Sequence, residues 1–96
     1  MASKGYDSQY AKVIGELQAC GNNCSCGEIR RLLESLGFRV NPATDAGGHK
    51  TFSHSTIKGF YGGNYNCGHG RNPNLTDLYV KKIIKTIKSL ESELKG

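Results

Sequence analysis

The chain has no tryptophan, and nowhere in its 96 residues does an apolar run approach the roughly 20 positions needed to span a bilayer. Its first residues, Met1-Ala2-Ser3-Lys4-Gly5-Tyr6-Asp7, also lack the apolar centre of a secretory leader. The expectation is a cytoplasmic protein. Internal repeats and low-complexity linkers are absent, and the length leaves no room for a separate cofactor domain, so a single small core and no cofactor are expected. Acidic residues are the scarcer charge, 8 against 13 Lys and Arg, and the resulting net charge of +5 favours polyanionic partners such as nucleic acid or an acidic protein. The same surplus also serves solubility.

What is present is helical periodicity at both ends and a glycine-rich middle. Tyr10, Val13, Ile14 and Leu17 follow i, i+3, i+4, i+7 spacing, which predicts an amphipathic helix over 7–20 that stops at Gly21-Asn22-Asn23. A second helix is signalled at both ends, by Ser25 with Glu28 three residues on as a capping box and by Gly37 as its terminator, with Ile29, Leu32, Leu33 and Leu36 as the apolar stripe. From Phe38 the period changes. Segments 38–40, 49–57 and 63–67 are short, bounded by Gly, Pro, Asn and Asp, and predict three antiparallel strands. A last helix is predicted over 76–94, with Val80, Ile83, Ile84, Ile87 and Leu94 inward and Lys81, Lys82, Lys85 and Lys88 off that stripe. The expected class is α+β: two helices on one face of a small three-stranded antiparallel sheet, preceded by an N-terminal helical extension over residues 1–25, with 26–96 as one compact unit.

The segment Gly47-Gly48-His49-Lys50-Thr51-Phe52-Ser53-His54 is the most distinctive. Alternation on a strand points His49, Thr51 and Ser53 one way and Lys50, Phe52 and His54 the other. With Phe52 toward the helices, His49 lies on the solvated face. The glycines before it remove bulk and allow a sugar-phosphate backbone to approach. An imidazole there is able to take the proton of a ribose 2′-hydroxyl, since its ordinary pKa near 6.5 leaves a neutral base at cellular pH. A surface histidine is more often only a polar side chain.

These residues resemble the HicA family of bacterial toxin ribonucleases, whose strand motif Gly-Ser-His followed by Phe and a further His stands here as 47–54. Glu28-Ile29-Arg30-Arg31-Leu32-Leu33-Glu34-Ser35-Leu36-Gly37-Phe38 is similar to the family's opening helix. Asn66-Cys67-Gly68-His69 and Asn74-Leu75-Thr76-Asp77-Leu78-Tyr79-Val80-Lys81-Lys82-Ile83-Ile84 are similar to its third strand and C-terminal helix. The likeness covers residues 26 to 90. It departs at Gly48, where the family has Ser, and at Lys50, where it has His. The resemblance implies a double-stranded RNA-binding-domain-like fold, metal-free cleavage of messenger RNA with His49 catalytic, and a HicB-like antitoxin as partner.

RNA contacts are expected from Gly47, Gly48, Lys50, Lys58, Arg71, Lys81, Lys82 and Lys85, the basic ones as phosphate holders. Two other readings are a non-catalytic module that recognises duplex RNA and an interaction protein whose basic face meets an acidic partner. Cys20, Cys24, Cys26 and Cys67 lack the usual C-x2-C knuckles of zinc modules, and a reducing compartment predicts free thiols without metal, although an even count would invite a disulfide reading in a secreted chain. His69 is expected in a turn, and His54, sharing Phe52's face, in a hydrogen-bonded structural role.

Overall fold

The computed structural model describes residues 2–42, 49–60, 62–67 and 75–95, with backbone alone at 2–7, 22, 42, 49 and 95. The first helix, α1 (Ala2–Cys20), begins five residues earlier than the apolar spacing predicts, because its stripe starts only at Tyr10 and the preceding turns carry no periodic signal. Tyr10, Val13, Ile14 and Leu17 are buried as expected. Gly21 ends the helix in the left-handed region, at φ 52°, and a single 3-10 turn (Gly21–Asn23) follows.

Both predicted ends of the second helix, α2 (Cys26–Ser35), are present. Ser25 accepts a hydrogen bond from the Glu28 amide at 3.3 Å, which satisfies one of the free donors of the first turn. At the other end Gly37 sits at φ 92°, while Phe38 N–H donates to Leu33 O at 3.1 Å and Gly37 N–H to Glu34 O at 3.0 Å, a Schellman closure.

Strands β1 (Arg39–Pro42), β2 (His49–Ser53) and β3 (Gly63–Asn66) form an antiparallel sheet in the order β1-β2-β3. Phe38 lies just before the first strand, and the second is four residues shorter than expected because the chain turns at His54, where Ile57 N–H reaches His54 O at 3.4 Å. Pro42 closes β1, an edge strand with one side unpaired, where a missing N–H does little harm.

Val40, Phe52 and Tyr65 occupy one face of the sheet, with α2 packed along β1 and α3 (Asp77–Ser89) along β3. The expected α+β class is therefore observed, with two helices on the sheet. The last helix is not continuous, however. It breaks at Leu90, whose N–H falls back on Ile87 O at 3.0 Å, and α4 (Glu91–Lys95) restarts beyond it. The break turns Leu94 inward, and α4 packs on α1, where the Tyr10 hydroxyl lies 3.3 Å from Glu91 Oε1. α1 packs on α2, α3 and α4, so its stripe belongs to the same buried cluster as the sheet's inner face. Among the described residues no helix is long and apolar enough to cross a membrane.

The expected free thiols are not observed. Cys20 pairs with Cys24 and Cys26 with Cys67, with Cα atoms 5.2 and 5.5 Å apart. The folded chain brings Cys67, at the end of β3, to the first residue of α2, a proximity that linear spacing does not encode. On loop-closure entropy alone, the 41-residue separation of the second bridge corresponds to about 4 kcal/mol, and the four-residue separation of the first to about 2 kcal/mol.

Tyr65 is 1% exposed, and its hydroxyl has no hydrogen-bond partner among the described residues. Burial pushes its phenol up to about 12 from 10.0, opposed by the positive charge of Arg30 and assisted by Glu34. Between those values the unfolded chain releases a proton that the folded chain keeps, so stability falls as pH rises from about 10 to about 12, by about 3 kcal/mol in total. Tyr65→Phe removes both the unpaired hydroxyl and its titration. The variant is expected to match or exceed wild type by up to about 2 kcal/mol at pH 7, and to lose less stability between pH 9 and 11. Urea melts of both proteins across that range check this, and parallel pH curves would refute it.

Candidate functional site

The side of the sheet away from the helices is polar throughout. Register pairs Arg39 with Ser53, Asn41 with Thr51, Thr51 with Asn64 and His49 with Asn66, and directly paired residues share a face. Arg39, Asn41, Thr51, Ser53 and Asn64 are exposed, and Asn66 is half-buried. His49 thus holds the register position expected of it, at the end of β2, on the face of Thr51 and Ser53. The Thr51 hydroxyl reaches Asn41 O at 3.5 Å, which leaves the face rich in amide and hydroxyl groups able both to donate and to accept. Arg39, Asn41, Asn64 and Asn66 were not among the expected contacts. Their signal is the alternation in Arg39-Val40-Asn41 and Asn64-Tyr65-Asn66, where each apolar residue marks its neighbours as outward.

The expected basic residues do not converge. Lys50 lies on the helix side of the sheet, half-buried and opposite Tyr65, so it faces away from His49. Lys58 lies beyond the other end of β2, past the turn that follows His54, and is not part of the strand that carries His49. Lys81 is paired with Asp77 at 3.1 Å and lines a cleft against Leu17, Gln18 and Gly21 of α1 and the turn after it. Lys82 and Lys85 instead line a groove between α3 and β3, beside Gly63 and Asn64. Lys82 Nζ also stands 5.6 Å from the centre of the Tyr79 ring, a cation–π contact. The three helix lysines are therefore split, because helical phase alone does not say which neighbour each will meet. Gly47, Gly48, His69 and Arg71 lie outside the described residues.

What the fold brings together is an edge. Asn64 belongs both to the open face and to the groove, so the amide-rich surface continues over β3 to Lys82 and Lys85. Among the described residues no group of acidic, histidine and cysteine side chains is arranged to hold a metal ion.

His54 takes the structural role expected of it. Leu36 O can only accept, so the Nε2–H donates to it at 3.0 Å, and the Thr56 hydroxyl, also at 3.0 Å, donates to Nδ1. The ring meets Phe38 edge-on at 5.0 Å and lies over Gly37, where any Cβ would come within 2.8 Å of Nε2. Both nitrogens are engaged by the protein itself, which leaves neither free for a substrate proton.

No family model matches the chain, and neither a curated protein nor a solved structure matches it.

His54→Ala should therefore lower stability by about 1–3 kcal/mol, through the carbonyl left without its donor and the lost ring contact. The β2–β3 pairing should persist, read as unchanged cross-strand NOEs. A variant that melts with wild type would show that this imidazole does not hold the turn.

Proposed function

We propose that this chain is a metal-independent endoribonuclease of the HicA-like toxin kind, presenting His49 to a ribose 2′-hydroxyl on the open face of the sheet. The observation that carries the reading is the register: His49 shares a polar, helix-free face with Arg39, Asn41, Thr51, Asn64 and Asn66. The order α2, β1, β2, β3, α3, with both helices on one side, fits kinship with double-stranded RNA-binding domains. The site belongs in the cytoplasm, and an acidic HicB-like antitoxin is the partner that covers it.

In this mechanism neutral His49 removes the 2′-hydroxyl proton and the freed oxygen attacks the adjacent phosphorus. The bond to the 5′ oxygen breaks, that oxygen takes a proton from water, and a 2′,3′-cyclic phosphate remains. In this reading Arg39 and the Asn64 amide hold phosphate oxygens, and Lys82 and Lys85 hold the strand as it crosses β3.

A second reading, a non-catalytic RNA-binding module, draws on the makeup of the same face. Apart from His49, the described residues of that face offer amides, hydroxyls and one guanidinium, none of them suited to proton transfer near neutral pH, so without that histidine the face would bind RNA and not cleave it.

His49→Ala is expected to reduce cleavage of a model RNA by about 100-fold or more. Melting temperature should stay at the wild-type value and affinity within a few-fold, and wild-type cleavage should survive EDTA. Undiminished cleavage by the folded variant would eliminate the mechanism, whereas RNA binding without any wild-type cleavage would select the second reading.

Salt dependence separates the lysines. Each phosphate contact on a single strand contributes about 0.7 to the slope of log affinity against log salt, so Lys82→Ala with Lys85→Ala should flatten the slope by about 1.4. Lys81→Ala should leave it unchanged. Equal effects from both would place the strand elsewhere.

A further inference from the structure

We propose that the Cys26–Cys67 bridge is a redox latch on the open face: oxidised, it fixes the end of β3 that pairs with His49, and reduced, it frees that end. The inference goes beyond the ribonuclease reading and stands on the placement of the bridge. Cys67 directly follows Asn66, the last residue of β3, and Asn66 is the register partner of His49. β3 has only four residues and pairs with β2 alone among the described strands, and beside that pairing, the burial of Tyr65 and the packing of α3, this bridge is the covalent tie at its far end. At its near end the strand is fixed by Gly63 against the Phe52 ring.

The two bridges are not equivalent. Cys20–Cys24 spans one local turn, and Cys24 O also accepts the Leu75 amide at 2.8 Å, so that junction keeps a backbone tie without its sulfur bond. Cys26–Cys67 instead encloses α2 and the whole sheet. Its two residues also differ in access, Cys26 being half-buried and Cys67 only 4% exposed. A dithiol reductant of the thioredoxin class therefore attacks at Cys26. Its thiolate forms a mixed disulfide there, and Cys67 leaves as a thiolate that takes a proton. The second reductant thiol then displaces Cys26 as a thiol, and the reductant departs as a disulfide carrying the two-electron oxidation. In a reducing compartment, disulfides are usually transient or redox-sensing.

Amide hydrogen exchange on the full chain tests the latch without any RNA. Three samples are compared: oxidised protein, protein in dithiothreitol, and Cys26→Ser with Cys67→Ser. Of the Tyr65 and Asn66 amides, the one directed at β2 is expected to exchange at least tenfold faster in the last two, while those of Val13 and Leu17 in α1 keep their protection and reoxidation restores the wild type. Cys20→Ser with Cys24→Ser should retain the full response to dithiothreitol. Unchanged β3 exchange on reduction would overturn the proposal. So would loss of protection everywhere at once, which makes the bridge a global staple, or one zinc ion retained per reduced chain with β3 still protected, which makes the cysteines a metal cage.

Discussion

The packing of Phe52 on Gly63 sets the rest of the sheet. A Cβ at Gly63 would fall on the Phe52 ring, so the ring lies where only glycine leaves room. Around it Phe38 stands edge-on at 5.5 Å and Tyr65 lies tilted at 6.2 Å, closing an aromatic layer that contains no tryptophan. With Phe52 fixed inward, period two decides the remainder of β2. Lys50 goes toward the helices, and Thr51, Ser53 and the His49 position go toward solvent. A slip by one residue would exchange the faces and put Thr51 in the aromatic layer, so the burial of one ring specifies which groups line the open side.

Much of this was legible in the chain. Ser25, Glu28 and Gly37 mark α2 because caps are local chemistry, and the alternation around Phe52 gives the facing of β2 for the same reason. The start of α1 was not legible, since nothing before Tyr10 repeats with helical period. The break at Leu90 was hidden by Leu94, which keeps the apolar spacing of a continuous helix while turning inward from a new one. Cysteine pairing across 41 residues depends on where β3 ends in space, and an argument from compartment alone pointed to thiols instead. The division of Lys81 from Lys82 and Lys85 follows from which neighbours α3 acquires, α1 on one flank and β3 on the other.

The two faces of the sheet obey different physics. The inner face is closed by shape, with rings and aliphatic chains that admit few alternatives. Among the described residues the outer face carries side-chain amides and hydroxyls, which exchange water for ligand hydrogen bonds at small net cost, and the guanidinium of Arg39. At its margin α3 adds the positive charges of Lys82 and Lys85. Such a division lets charge draw a polyanion to the edge while neutral groups on the sheet adjust to what lies across them.

The bridge from Cys26 to Cys67 also gives the chain an unusual covalent topology. α2 and all three strands lie inside one ring, while α1, α3 and α4 hang from it as tails. A single peptide cut anywhere between residues 26 and 67 would leave two pieces still joined through sulfur, each holding one side of the sheet or its helix. Such a nicked molecule keeps the mass of the intact chain, plus one water, until its disulfides are reduced. Its integrity is therefore recorded jointly by the backbone and by two thiols, and the loss of either one alone does not separate its parts.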